Sequence, residues 1–324
     1  MTTSRKERML GDLLAAGCGA VFFAVTVGVE KLDPRNVGWL TFGDQLTHWL
    51  GWRFFAEDSW RWPLGANPNY GWERMNSIVF TDSFPGLAVL FKALDLGIFN
   101  RGQYFGIGLL LGAVALFVGA RRLFSYLGID LWTSLLAAAL LGTTPLFWWM
   151  QRWYPALSSG VPLLVWAFYF YLNDSVSARR LLLRWSGLMV VAVAVQAYLV
   201  IAVFAFFVAA LIQRFLRDKS EIRALVTIFA VAASVCLGVM YLLGYYTVPS
   251  KWAQTGGYGW YSANLLGLID QKGASAIFPH VPSISGQHEP TSLSTGMIVL
   301  MALLITNRIV SRRHLKVWDA IRSQ

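Results

Sequence analysis

The hydrophobic positions of this chain fall into long unbroken runs, separated by short basic or aromatic stretches. Residues 10–29 form the first run, close to the roughly 20 residues that cross the hydrocarbon core of a bilayer. The run lacks a small-residue cleavage site and is followed by Glu30-Lys31-Leu32-Asp33-Pro34, so it is expected to stay as a membrane anchor. Later runs predict helices over 104–118, 131–150, 156–172, 225–245 and 293–309. Residues 184–213 are long for one span and short for two, which predicts two short helices meeting near Gln196 and Tyr198. The pattern is that of an all-α polytopic membrane protein with about eight transmembrane helices, in one domain over 1–324.

Between the runs stand basic clusters: the N-terminal Arg5-Lys6, Arg121-Arg122, Arg179-Arg180, residues 214–219 and Arg312-Arg313. Short basic loops remain on the cytoplasmic side, so both termini are expected there. Residues 30–100 and 248–292 then form two outer loops.

Residues 43–85 are too polar to cross a bilayer and too rich in Trp, Tyr and Phe for a slack linker. Long loops within compact domains are usually functional or disordered, and this composition argues against disorder. From Asp44 to Phe55 the period is helical. Leu46, Trp49, Leu50 and Phe54 share one face, and Asp44, Thr47 and His48 the other, which predicts an amphipathic helix lying in the membrane surface. Residues 63–71 read as a chain of turns. A second helix is expected over 82–97 with Pro85 in its first turn, where proline is tolerated. Lys92 and Asp95 make it a surface or half-buried helix rather than a span.

Composition narrows the class further. The chain is 56% hydrophobic and only 14% charged, against about 25% charged in soluble domains. The net charge of +10 is explained by the loop clusters, and no nucleic-acid recognition motif accompanies it. Cys18 and Cys236 both lie in apolar runs and read as small hydrophobes, not as a disulfide or metal pair. No phosphate-binding glycine loop, zinc-ligand spacing or nucleophile elbow is present. The glycine-rich run from Gly256 to Tyr261 follows no strand and reads as a turning outer loop.

The candidate chemistry lies in the outer loops. Asp44 begins a helix just outside the membrane; there it is either an N-cap or a general base, and the two readings are compatible. Asp82, in Thr81-Asp82-Ser83-Phe84-Pro85, carries the same two readings of cap and catalytic carboxylate. His48 lies one turn beyond Asp44. Arg53, Arg61, Arg74 and Lys251 are outer cations able to hold a phosphate or to pair with Glu57, Asp58 or Glu73. Tyr70 in the first loop and Arg152 in the 151–155 outer turn complete the substrate-binding candidates.

The order of these features resembles the first module of the GT-C glycosyltransferases, in the branch similar to the aminoarabinose and protein-mannosyl transferases. One helix is followed by an outer Asp heading a helix, the Trp60-Arg61-Trp62-Pro63 turn, the Asp82-Ser83-Phe84-Pro85 helix start and a span ending in a basic pair. The stretches GDQLTHWLGWRFF, PLGANPNYG and TDSFP are closer to a group of uncharacterised bacterial membrane proteins of that architecture. The resemblance covers most of the chain in outline and rests on residues 43–105. It implies transfer of a sugar from a polyprenyl-phosphate donor to a glycan, lipid or protein acceptor. The transfer would occur at the outer face of the bacterial cytoplasmic membrane, with Asp44 as general base. Two departures stand out. The family's chains usually continue with further helices and often a soluble outer domain, whereas this one stops at Gln324, as a minimal form or a fragment. The outer turn at 151–155 carries no carboxylate, so no cofactor and no divalent cation is implied. The competing reading is a non-catalytic transporter or scaffold in envelope polysaccharide assembly. A transporter places ionisable groups near the midplane, and here the spans are nearly free of charge.

Overall fold

The computed structural model describes residues 5–71, 76–144 and 154–248. They are helical, with no strand among them. Helix α1 (Arg5–Thr26) leads into the first loop, which holds α2 (Asp44–Glu57), α3 (Pro85–Leu94) and α4 (Gly97–Arg101). The bundle continues with α5 (Phe105–Tyr126), α6 (Leu131–Gly142), α7 (Pro155–Gly160), α8 (Pro162–Leu172), α9 (Ala178–Val195), α10 (Ala197–Arg217) and α11 (Ile222–Leu243).

Five segments among the described residues are long and apolar enough to cross a membrane: Lys6–Thr26, Phe105–Tyr126, Pro155–Leu172, Ala197–Arg217 and Lys219–Leu243. The protein is a helical membrane protein. The helix expected over 293–309 lies outside the described residues, as does the second outer loop. Of the run 131–150, residues 131–142 are seen as helix, and 145–150 lie outside the described residues.

Helix α5 is the centre of the bundle. Its small residues let neighbours approach closely, as is usual where apolar helices pack without a hydrophobic driving force. A Cβ on Gly112 would lie 2.6 Å from the Ser159 backbone on α7, and one on Gly119 would lie 2.8 Å from the Trp166 indole nitrogen on α8. From the other side, a Cβ on Gly19 of α1 would lie 2.9 Å from the Ala113 carbonyl oxygen. Helices α9 and α10 form a hairpin. Trp185 and Phe207 each stand eleven residues from Gln196, and their ring centroids are 5.6 Å apart. Gln196 itself is extended, at φ −170° and ψ 143°, so the reversal falls where the sequence predicts it. Helix α9 begins six residues earlier than expected, at Ala178, and so carries Arg179, Arg180 and Arg184 on its first turns at the bundle's end.

The basic clusters gather at one end of the bundle. Asp12 of α1 pairs with Arg121 at 2.7 Å and with Arg122 at 2.6 Å, both near the end of α5. Arg217 of α10 reaches Asp174 before α9 at 3.1 Å. The first loop packs on the opposite end.

Within that loop the structure corrects the reading of α2. The face it buries is not the one expected from its period. Its buried positions are Gln45, His48, Gly51, Trp52 and Phe55, while Phe54 is 43% exposed. The predicted polar face is therefore split, with Asp44 and Thr47 exposed and His48 only 2% exposed. The reason is tertiary. The indole nitrogens of Trp49 and Trp52 donate to the carbonyls of Gly102 and Phe99, at 3.1 and 3.2 Å. These bonds roll α2 into the loop's own core. Lys92 of α3 lies over the rings of Phe55 and Trp60, at 4.1 and 4.8 Å. Helix α3 thus packs against α2 and keeps its charge out of lipid.

Candidate functional site

Four close approaches assemble a polar cluster at the loop end of the bundle. A Cβ on Gly51 would lie 2.4 Å from the Thr81 side chain, so only glycine lets residues 78–81 rest against α2 at this depth. Ser83 donates to the His48 carbonyl at 2.6 Å and shares a 2.7 Å bond with Thr81, while Tyr104 donates to the Ser83 carbonyl. A Cβ on Gly86 would lie 2.6 Å from Ala194, which sets the start of α3 against the end of α9. Ser77 donates to the Leu243 carbonyl at 3.1 Å, tying the end of α11 to the same place.

The result is a carboxylate bonded by one element and faced by two more. Gln196, at the α9–α10 reversal, donates to Asp82 Oδ1 at 2.7 Å. His48 Nε2 stands 3.9 Å from Asp82 Oδ2. Tyr245, just past α11, donates to the Val193 carbonyl at 2.8 Å and is close enough that the Asp82 charge helps burial raise its phenol. The Tyr154 ring centroid lies 6.4 Å from that of His48.

Burial pushes the Asp82 carboxyl up to about 6; the Gln196 amide opposes this, and the nearby Asp44 charge adds to it. Burial also pushes His48 down to about 4, against the pull of Asp44. At neutral pH the pair is a neutral imidazole beside a carboxyl that is mostly ionised and still within reach of its midpoint on mild acidification. His48 Nδ1 and Gln196 Oε1 are buried and make no hydrogen bond among the described residues.

Neither aspartate is the N-cap expected of it. The N-cap of α2 is Gly43, at φ 64°, and Asp44 follows it as an exposed first helical residue. Its side chain accepts no hydrogen bond among the described residues. Helix α3 starts three residues later than predicted, at Pro85, with Phe84 as N-cap. Asp82 and Phe84 both adopt left-handed backbone, at φ 50° and 49°. This conformation is costly for residues with a Cβ and is held only where the surroundings impose it. The strained elbow turns the Asp82 side chain toward α2 and Gln196 instead of along the α3 axis.

The other candidates divide. Tyr70 lies against α2, with its hydroxyl 3.5 Å from the Thr47 carbonyl and its ring 5.6 Å from that of Phe54. Arg53 donates to the Asn100 carbonyl and to Glu57, and Arg61 pairs with Asp58 at 2.8 Å, so both serve the loop itself. Arg74, Arg152 and Lys251 lie outside the described residues. From sequence, Gln196 is marked only as a turn and Tyr245 has no assigned role. The available signal was a glutamine, with its two-way hydrogen-bonding amide, inside an otherwise apolar run. No group of three His, Cys, Asp or Glu side chains suited to a metal occurs among the described residues.

No curated protein and no solved structure matches the chain. A family defined by a domain of unknown function, DUF6311, matches residues 16–322. With nearly its whole length covered, the chain belongs to the DUF6311 family.

Proposed function

We propose that the protein transfers a sugar from a polyprenyl-phosphate donor to an acceptor hydroxyl at the outer face of a bacterial cytoplasmic membrane. The observation that supports this reading is the convergence of Asp44, His48 and Asp82 at the loop end of the bundle, with both acids released from N-capping. In the same reading the chain has eight spans, including 131–150 and 293–309, and both outer loops flank one site. Arg74 or Lys251 then supplies the cation for the donor phosphate.

Asp44 is the general base. Its exposed carboxylate takes the proton of the acceptor hydroxyl as the oxygen attacks the anomeric carbon. The bond from that carbon to the donor phosphate breaks, and polyprenyl phosphate departs as an anion without needing a protonating acid. The anomeric centre inverts. Asp82, joined to Gln196 and beside His48, fixes the electrostatics around the base.

The test is transfer from a polyprenyl-phosphate sugar pool by membranes carrying each variant. Asp44→Asn keeps the shape and removes the basicity, and should lower transfer by the roughly 10²–10⁴ that a general base contributes. Asp82→Asn retains an oxygen for the Gln196 amide and should cost less. Near-normal transfer by Asp44→Asn moves the base to Asp82, and near-normal transfer by both variants sinks the transferase reading.

A further inference from the structure

The largest cavity among those described is at the opposite end of the molecule from Asp82. It has a volume of about 840 Å³ and opens among the first turns of α1 and α9 and the last turns of α5 and α8. Arg8, Arg121, Arg122, Arg180 and Arg184 line it, with Asp12 as the only acidic side chain in its wall among the described residues. Arg121 and Arg122 share that one carboxylate. Arg184 donates to the Asn173 carbonyl at 3.0 Å. Arg8 and Arg180 are exposed and make no ion pair among the described residues. From Arg180 to Gln196 along α9 is about 24 Å at 1.5 Å per residue, so this cavity is separate from the polar cluster.

The pocket is built for an anion. Gly11 clears space for the Arg121 guanidinium, which would lie 2.4 Å from a Cβ there. Arg122 lies over the Trp166 ring at 5.4 Å, and Arg184 over Phe170 at 5.4 Å. These contacts hold planar forks in fixed orientations, the form that suits phosphate oxygens. A second cavity of about 340 Å³ adjoins the first, sharing Arg121 and Ser125. Its wall is mostly apolar, with Leu10, Leu14, Ile129 and Leu131, and the exposed Glu7 and Asp130 also line it. Leu10 and Leu14 are 59% and 42% exposed on the outside of α1, where a membrane protein meets lipid.

We propose that the arginine pocket binds the phosphate-bearing headgroup of an anionic phospholipid of the cytoplasmic leaflet, with an acyl chain in the adjoining apolar groove. Basic pockets between helices on the cytoplasmic side recognise such headgroups. The end that gathers the basic clusters is the cytoplasmic end. A free phosphate would use the same arginines but would leave the apolar groove unexplained.

The full chain is purified and placed in phosphatidylcholine nanodiscs with and without phosphatidylglycerol. Native mass spectrometry counts retained lipid, and thermal unfolding is followed in parallel. The wild type should retain phosphatidylglycerol and unfold at a higher temperature with it. Arg8→Gln combined with Arg180→Gln changes two exposed side chains, and should weaken retention about tenfold, the worth of about 1.4 kcal/mol. Leu14→Trp fills the groove and should weaken retention with all the arginines in place, which keeps the test valid if the double variant unfolds in phosphatidylcholine. Equal stabilisation by phosphatidylcholine overturns the proposal, as does undiminished phosphatidylglycerol retention by a folded double variant. Stabilisation by inorganic phosphate alone, with no effect of Leu14→Trp, makes it a free-anion site and overturns the lipid assignment.

Discussion

At the scale of single residues, the informative pair is His48 and Asp82, because burial shifts them in opposite senses. The His48 imidazole falls from 6.5 to about 4 in the folded protein. A depressed pKa means the unfolded chain binds more protons between these values, so folding gains stability as pH rises from about 4 to 6.5. Asp82 rises from 3.8 to about 6. Here the folded protein binds more protons, so this contribution is present at low pH and is lost as pH rises through 6. The two slopes oppose each other across almost the same window. The groups facing the pair are Asp44 from α2, Gln196 from the hairpin and Tyr245 after α11. All three are retained in both variants. In His48→Gln, unfolding midpoints should therefore fall between pH 4 and 6, and in Asp82→Asn they should rise over pH 4 to 6.5. Thermal unfolding of the purified variants in micelles checks both signs. Parallel slopes in the two variants would contradict the assigned burial.

At the scale of elements, close packing around α5 makes the stronger demand. At Gly112 a side chain meets the Ser159 backbone, and backbone cannot swing aside as a flexible side chain does. Gly112→Val should therefore destabilise by roughly 1–3 kcal/mol, the usual cost of overpacking. Gly187 of α9 has nothing within 4 Å of its Cβ position. Gly187→Ala should be neutral or slightly stabilising, since alanine is the better helix former. Thermal melts of the two variants in one detergent test the contrast, and equal effects would refute it. The sequence carried the elements well: apolar runs place α1, α5, α10 and α11, and a glutamine among apolar residues marks the hairpin. It did not carry orientation. The period of α2 shows which residues share a face, but not that Trp49 and Trp52 would donate to residues 99 and 102 and turn His48 inward. Nor does sequence show that Asp82 leaves the α3 axis, because the left-handed elbow is imposed by contacts with Thr81, Ser83 and Tyr104. Asp44 and Asp82 were legible as candidates; Gln196 and Tyr245, brought in by the far ends of α9 and α11, were not.

At the scale of the whole molecule, the two ends of the bundle are chemically distinct. One end has arginines from α1, α5, α9, α10 and α11, held partly by Asp12, Asp174 and Glu221. The other has an aromatic loop with Asp82 turned toward the bundle and Asp44 exposed beside it. Arginine-rich ends resist translocation, so the arginine pocket should face the cytoplasm and the Asp82 cluster the outside. Single-cysteine labelling with a membrane-impermeant reagent decides this, given reporter positions that are exposed. Asn67 is unsuitable, since it is fully buried and donates to the Gly51 carbonyl at 2.9 Å. Asn69 is exposed on the loop, and Arg180 is exposed at the arginine end. With Cys18 and Cys236 replaced by alanine, Asn69→Cys should label in intact cells. Arg180→Cys should label only after the inner face is opened. The reverse order would invert the protein in the membrane. It would place the acid cluster on the cytoplasmic side, where a donor presented at the outer leaflet cannot reach it, and would end both the transferase proposal and the leaflet assignment of the arginine pocket.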